Sequence, residues 1–574
     1  MKELMIGNAA IARGAYEACA TVAAAYPGTP STEITEFISK YPEIYAEWSP
    51  NEKVALEVGV GASIAGARSI VCMKHVGLNV AADPLFTSAY TGVRGGLVIV
   101  VADDPGMPSS QNEQDSRFYA RSAHVPMLEP SDSEECRAFT KRAFELSEEY
   151  DTPVFVRLTA RTSHSQSLVE PEERISRELP AYEKDIAKYV MVPGYARLRH
   201  LKVVERMERL KKDVEEFDLN REEVRGEELG IVCSGAVYHF VREAAPDASV
   251  LKLGMIYPLP IEKIRAFSKK VKRLVVIEEL EPFFENQLKA NGIPCEGKNL
   301  FPLCYDFSAN LIREKLFGIP APKADTELPG RPPVMCAGCP HRGVFYLLAK
   351  NKITVTGDIG CYSLGAMAPL SAMDAVICMG ASVSMAHGFE KARGREQSKH
   401  TVAVIGDSTF VHTGVNGLIN AVYNKSNITL IILDNSTTGM TGHQENPATG
   451  KTIRRESTHK LDLYDLCKAC GADSVRVTNA YDLKNTEKVI KEELARKGVS
   501  VIIAQRPCAL LDKSEKIPHV VSDKCRNCKA CLKLGCPAII AGKDRVSIDF
   551  SLCTGCGVCE QVCPFGAITA GEAK

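Results

Sequence analysis

The sequence predicts a multidomain α/β protein of doubly wound parallel sheets that ends in a small α+β module, and three observations carry that expectation. A chain of 574 residues is too long for one hydrophobic core and should divide into roughly three to five domains. Short β-branched runs alternate with Ala/Gly-rich stretches, the pattern of strands covered on both faces by helices. Of the 21 cysteines, eight lie between Cys525 and Cys563 while the first 300 residues hold five, which places a ligand-dense module at the C-terminus.

Composition narrows the class. Apolar residues make up 45% and charged residues 25%, with Lys plus Arg at 70 against Asp plus Glu at 71, so no basic excess points to nucleic acid. Near the start, Glu3 stands where a secretory signal carries only bases, and Arg13 and Glu17 break the apolar stretch that follows. The run 95–102 is too short to span a bilayer, and 366–389 is interrupted by Asp374 and His387. A cytoplasmic protein without membrane contact is expected. In a reducing cytosol so many thiols point to metal or cluster ligation rather than disulfides.

Along the chain, residues 1–195 read as a parallel α/β unit with strand-like runs at 97–101 and 154–156. Residues 196–228 are dense in Lys, Arg and Glu, with Leu201, Val204, Met207 and Leu210 at helical spacing; they read as an exposed, solvated linker helix. A smaller α/β unit spans 229–320, with a strand at 274–277 followed by Glu278 and Glu279. Five prolines between Pro320 and Pro333 mark a linker. A third α/β unit occupies 321–512 and the cysteine module 515–574.

Within that module Cys553, Cys556, Cys559 and Cys563-Pro564 reproduce C-x2-C-x2-C-x3-C-P without a mismatch. A second copy, Cys525, Cys528, Cys531 and Cys536-Pro537, carries four residues before its last Cys, which enlarges one loop. The module resembles a two-cluster bacterial ferredoxin. On that resemblance Cys525, Cys528, Cys531 and Cys563 hold one 4Fe-4S cluster, and Cys553, Cys556, Cys559 and Cys536 hold the other. Paired zinc knuckles rarely show this spacing, and no His follows His519.

The apolar run 401–405 leads into Gly406-Asp407-Ser408, and 28 residues after Asp407 the run 428–433 ends at Asp434-Asn435. Oxygen ligands at the carboxyl ends of two parallel strands suit a hard cation such as Mg2+ that also takes phosphate oxygens. The pattern resembles the thiamine diphosphate fold, in which Gly-Asp-Gly is followed at a comparable distance by Asn; Ser408 replaces the third Gly. The resemblance implies that Asp407, Asn435 and the carbonyl of Thr437 bind Mg2+, and that Gly406, Ser408 and the small residues around Gly380 admit the diphosphate. Thiamine chemistry also needs a carboxylate against the pyrimidine, because a proton held at N1′ favours the tautomer that activates C2. By resemblance that carboxylate is Glu52, ahead of a Gly/Ala-rich helix over 59–67, with Glu57 as its rival.

Further segments extend the resemblance over essentially the whole chain: Tyr26-Pro27-Gly28-Thr29-Pro30-Ser31, Lys74-His75-Val76-Gly77-Leu78-Asn79, Ser109 to Asp115, and Cys336-Ala337-Gly338-Cys339-Pro340-His341-Arg342. The chain is identified as a member of the 2-oxoacid:ferredoxin oxidoreductases, similar to those acting on arylpyruvates. The family implies oxidative decarboxylation of a 2-oxoacid, with coenzyme A taking the acyl group and ferredoxin the electrons. No strand-bounded Gly-x-Gly-x-x-Gly offers a nicotinamide or flavin site instead. Thr29 is implied near the substrate carboxylate and carbonyl, with His75, Arg117 and Arg121 as weaker candidates and a surface role open for either arginine. A separate small (β) subunit is implied as partner.

A third 4Fe-4S cluster near the thiamine is expected on Cys336, Cys339, Cys361 and Cys508. Electrons must cross from the α/β core to the C-terminal clusters, and these cysteines follow a turn or strand-like runs; four buried unpaired thiols are the alternative. Cys378, Cys467 and Cys470 are expected to be free. The rival functions are the same chemistry on another 2-oxoacid, a non-oxidative thiamine decarboxylase or ligase with structural clusters, and an electron-transfer scaffold whose thiamine fold is empty, against which Asp407 and Asn435 argue.

Overall fold

A computed structural model describes residues 1–322, 330, 332–512, 514 and 516–571, so most of the proline-rich linker lies outside the described residues. The chain forms two compact units, Met1–Glu327 and Leu328–Lys574.

The first unit is built on a seven-stranded sheet, in the order Met255–Tyr257, Met127–Leu128, Val154–Thr159, Leu97–Asp103, Ser69–Lys74, Val22–Ala25 and Tyr45–Trp48. All neighbours are parallel except the first pair. Strands 69–74, 97–103 and 154–159 are buried along their whole length, which is why they read as unbroken apolar runs rather than alternating ones. A four-stranded sheet follows, ordered Arg273–Ile277, Leu229–Ser234, Ser249–Leu253 and Arg221–Glu223, parallel but for its last strand. The edge strand of the large sheet, Met255–Tyr257, comes directly after this smaller sheet's Ser249–Leu253, so the two α/β parts share a strand connection.

Two local expectations change. The Gly/Ala-rich helix runs over Glu52–Ile64, so Glu52 is its first residue rather than ahead of it; Asn51 Oδ1 accepts from Val54 N at 3.0 Å and starts the helix there. The charged helix, Pro193–Asp213, is not a solvated linker. It buries Val203, Arg206, Met207 and Leu210, while Leu201 is 58% and Val204 48% exposed. The stripe is rotated because Arg206, polar by type, lays its stem inward and donates to the carbonyls of Asp151 at 2.8 Å and Ala89 at 2.9 Å.

The second unit centres on a five-stranded, all-parallel sheet ordered Thr354–Thr356, Thr401–Gly406, Ile428–Asp434, Val499–Gln505 and Ser474–Asn479. Alternate residues feed two cores. Val402, Val404, Ile431 and Leu433 pack under helices His341–Lys350 and Leu483–Ala495; Ala403, Ile405, Leu430 and Ile432 pack under Ala381–Ser398 and Val415–Tyr423. The sheet is therefore covered on both faces, and its carboxyl edge is where loops can gather ligands. The cysteine module follows, with two short antiparallel ribbons, His519–Val521 with Ile568–Ala570 and Ile539–Ile540 with Ser547–Ile548. Its small core packs on Leu347 and Leu483 of the sheet's helices.

Candidate functional site

At the carboxyl edge of the five-stranded sheet, Thr401–Gly406 and Ile428–Asp434 end side by side. Gly406 is required by close approach, since a Cβ there would stand 2.7 Å from the Tyr362 ring. Asp434 is spent on the turn: it accepts from Ser436 N at 2.9 Å and from Gln505 Nε2 at 2.7 Å. This leaves Asn435 to turn inward. Its side-chain amide lies 3.2 Å from Asp407 Oδ1 and 2.9 Å from the Thr437 carbonyl oxygen. With the amide nitrogen inward it donates to both; with the oxygen inward, three oxygens converge as a hard divalent cation requires. Asp407 is buried and its Oδ2 meets no partner among the described residues. Burial, with Asp434 beside it, pushes its carboxyl well above the usual carboxylate range. A cation at this point would offset that desolvated charge, so the residues present fit one. Ser408 has a use that Gly would lack: its Oγ accepts from Thr438 Oγ1 at 3.0 Å and ties the two strand-end loops together.

The third strand of this edge contributes a residue that sequence reasoning missed. Asp358, two residues past Thr354–Thr356, is fully buried and accepts from Gly380 N at 2.9 Å and Ser382 N at 3.0 Å. Burial pushes its carboxyl up to about 6, against the pull of those N–H groups. It thereby fixes Gly380, whose φ of +84° and packing on Thr413 exclude any side chain. A carboxylate just past a strand end between Gly357 and Gly360 was the available signal.

In the first unit the expected residues gather on another carboxyl edge. Glu52 follows the strand Tyr45–Trp48 and is 4% exposed, its carboxylate resting on Gly77, where a Cβ would meet Glu52 Oε1 at 2.6 Å. Glu57 points outward, with 47% of its side chain exposed and paired with Lys53. Thr29, half-buried, follows Val22–Ala25, and His75 follows Ser69–Lys74. Gly28 lies against Lys74, which bridges to the Ser109 carbonyl at 2.8 Å. His75 is buried, and burial pulls its pKa down against the opposing pull of Asp103, Asp104 and the Asn112 backbone. Arg121 is exposed on Arg117–Ala123.

Arg117 corrects the surface role left open for it. It is 1% exposed, donates to Asp115 Oδ2 and Glu278 Oε2 at 2.6 Å each, and lies over the rings of Phe283 and Phe284. These bonds, with those to the Glu279 and Glu281 carbonyls, tie distant segments of the first unit together. Asp115 is only two residues away, but Glu278 is 161 residues away, so spacing gave no sign of the cluster.

The cysteines of the C-terminal module surround two cavities. Cys536, Cys553, Cys556 and Cys559 line one, and Cys525, Cys528, Cys531 and Cys563 line the other. The enlarged loop before Cys536 places Gly535, at φ +64°, against Pro369 and Arg342, and Arg342 Nη1 donates to the Leu534 carbonyl at 2.8 Å. The extra residue thus seats the module on the α/β part. Burial raises the Cys553 thiol, but hydrogen bonds from His519 outweigh this and hold it below its ordinary pKa.

The four other cysteines also approach one another. Cys361 is coupled through its charge to Cys336, Cys339 and Cys508, and burial pushes Cys361 up to about 11 and Cys339 up to about 12. Cys508 N donates to the Asn435 carbonyl at 3.0 Å. Cys361 Sγ and Asn435 Nδ2 each lie 3.4 Å from where a Cβ on Gly439 would be. Cys361 and Cys508 therefore both lie close to Asn435. Cys378 is exposed, Cys467 buried and Cys470 half-buried, and no cysteine forms a disulfide.

No helix among the described residues is long and apolar enough to cross a membrane. Three family models match the chain. Residues 13–219 match the thiamine-diphosphate-binding family model of pyruvate flavodoxin/ferredoxin oxidoreductases, residues 358–504 the C-terminal thiamine-pyrophosphate-binding domain, and residues 546–569 a 4Fe-4S binding domain. The chain is 40% identical to the indolepyruvate oxidoreductase subunit IorA of Thermococcus kodakarensis over 98% of its own length and 96% of the relative's. Against the same subunit of Archaeoglobus fulgidus identity is again 40%, over 100% and 98%. A 2-oxoglutarate synthase subunit KorA of A. fulgidus is similar at 27%, over 48% of this chain and 87% of that one. The chain belongs to the family of indolepyruvate oxidoreductase IorA subunits, thiamine-dependent oxidoreductases that carry an iron-sulfur module.

Proposed function

We propose that this chain is the catalytic, electron-collecting subunit of an enzyme that converts arylpyruvates (indolepyruvate, phenylpyruvate, hydroxyphenylpyruvate) to aryl-acetyl-coenzyme A and CO2, passing the electrons to ferredoxin. The observation that carries this reading is Asn435. Its side chain faces Asp407 and the Thr437 carbonyl, while its backbone binds Cys508, so an oxygen ligand set and a cysteine set stand back to back. A decarboxylase that releases an aldehyde has no use for that adjacency.

Asp407, Asn435 and the Thr437 carbonyl hold Mg2+, and Gly380, fixed by Asp358, leaves room beside Gly406 and Ser408 for the diphosphate. Thiamine diphosphate, when bound, supplies the electron sink for loss of CO2 from a 2-oxoacid. Glu52, buried at the first turn of its helix, holds a proton at the pyrimidine N1′, a role that solvent-exposed Glu57 does not fit. Thr29 and His75 bind the substrate's carboxylate and carbonyl, with Arg121 at the rim. Cys336, Cys339, Cys361 and Cys508 hold a 4Fe-4S cluster beside the thiamine, and the two C-terminal quartets hold two more. The arylpyruvate preference is supported by the names of relatives matched along their full length, and a small β subunit completes the enzyme.

The test is anaerobic dye reduction with a panel of 2-oxoacids, with and without coenzyme A and with and without the small subunit. Fastest reduction with indolepyruvate, dependent on coenzyme A, is expected, and the isolated chain should be poorly active. Aldehyde release without dye reduction would overturn the oxidative reading, and preference for 2-oxoglutarate would overturn the substrate class.

A further inference from the structure

A cavity in the first unit lies where three strands end. Pro105 follows Leu97–Asp103, Thr159 closes Val154–Thr159, and Glu279 follows Arg273–Ile277 of the smaller sheet; all three line it. Gly106, at φ +78°, lets the loop 105–108 close on Asp306, since a Cβ there would stand 3.1 Å from Asp306 N. The volume is about 270 Å³, just below the range of drug-sized pockets, so the cavity suits a small molecule. Thr29 and His75 follow different strands, Val22–Ala25 and Ser69–Lys74, which puts this cavity at a separate place on the same carboxyl edge.

Glu279 is the unusual member of the lining, being only 7% exposed. Its Oε1 accepts from Phe307 N at 2.7 Å, and its Oε2 has no hydrogen-bond partner among the described residues. Burial, with the like charges of Glu129 and Asp306, raises its carboxyl to about 7 against the pull of Phe307 N and Arg157. The other charged groups of the lining, Arg161 and Asp306, are exposed and already paired with each other at 2.5 Å. One cation thus stands against two carboxylates, and the unmatched charge is the buried one, where leaving it unpaired costs most. The remaining walls, Pro105, Pro108 and Ala160, are apolar. Two carboxylates, one of them spent on Arg161, are too few for a hard divalent cation, which takes about six oxygens or more.

We propose that this cavity is a binding site for a small organic ammonium, apart from the thiamine, substrate and cysteine sites, with the ammonium donating to Glu279 Oε2 and the body packed on Pro105, Pro108 and Ala160. An ammonium supplies both things that Glu279 lacks, a donor for its second oxygen and a countercharge. A neutral donor would supply only the first, and an anion would meet two carboxylates. Arg161 separates the two sources of such a ligand. A plain amine leaves the pair of Arg161 and Asp306 intact, whereas an α-amino acid brings a carboxylate that competes with Asp306 for the guanidinium. The site does not depend on the redox reading above.

The experiment is calorimetric titration of the anaerobically purified holoenzyme at about pH 8, above the raised pKa of Glu279, with three probes of one shape. These are 2-phenylethylamine, the uncharged 2-phenylethanol, and phenylalanine as the zwitterion. The amine should bind about tenfold or more tightly than the alcohol, and Glu279→Gln should remove that difference, as expected for a charge-assisted hydrogen bond. Ala160→Leu, which fills the cavity from its wall and leaves Glu279 in place, should weaken the amine as well and decides the matter if Glu279→Gln fails to fold. Phenylalanine tighter than the amine, with the gain lost in Arg161→Gln, would uphold the site and identify α-amino acids as its ligands; phenylalanine weaker than the amine would uphold it for plain amines. Equal binding of amine and alcohol, no binding of either, or wild-type affinity in both Glu279→Gln and Ala160→Leu would overturn the proposal. So would displacement of the amine by indolepyruvate or by coenzyme A, because the cavity would then belong to the path of the reactants.

Discussion

Gly77→Ala moves the Glu52 carboxylate without removing it. A Cβ at position 77 would stand 2.6 Å from both Cγ and Oε1 of Glu52 and 2.8 Å from Cδ. These separations are about 1 Å inside the distance at which carbon atoms pack, so one side must yield. Gly77 lies in the helix His75–Val80 directly after a fully buried strand, and its backbone is the stiffer partner. The carboxylate therefore shifts by roughly 1 Å, a displacement that costs about a hundredfold in rate when the group must meet a fixed atom. Outright removal in Glu52→Gln should cost about 10²- to 10⁴-fold, the range of a lost acid-base group, while Glu57→Gln should stay near wild type. The assay is 2-oxoacid-dependent dye reduction on samples of equal iron content. Wild-type turnover in Gly77→Ala with altered packing at Glu52, or a more severe loss in Glu57→Gln than in Glu52→Gln, would refute the assignment.

Three further outcomes are expected. Asp407→Asn removes the only charged oxygen of the candidate cation site, and Mg2+-dependent thiamine diphosphate affinity, measured by calorimetry, should fall at least about tenfold. Anaerobically purified chain should contain about twelve irons and Cys361→Ser about eight; about eight in the wild type, at full occupancy of the C-terminal module, would leave only two cubanes. Glu279 is buried, and burial raises its carboxyl from 4.5 to about 7 although Phe307 N donates to it. Because the folded pKa is the higher one, stability should fall by up to about 3 kcal/mol as pH rises from 4.5 to 7 and level off above. Glu279→Gln should abolish that slope in urea unfolding followed by the single tryptophan, Trp48, which lies in the same unit.

What the sequence determined by itself was whatever is local in the chain. Buried parallel strands are continuous apolar runs, so 97–101, 154–156, 401–405 and 428–433 were legible, as were the Asp407 and Asn435 that follow the last two. The cysteine spacings marked both C-x2-C-x2-C loops for the same reason, while the resemblance to a two-cluster ferredoxin implied which distant cysteine completes each quartet. Tertiary structure alone decided the rest, because it depends on which distant groups meet. Arg117 became a clamp between distant segments through Glu278, 161 residues away. Arg206 rotated the helix Pro193–Asp213 by finding carbonyls that its polarity could satisfy in the interior. Asp358 acquired its role by reaching Gly380 and Ser382 across a loop, and Glu52 was separated from Glu57 by burial against Gly77. A side chain's polarity is fixed by its type, but its partners are set by packing, and partners determine whether a charge is a surface ornament, a structural tie or a candidate catalyst.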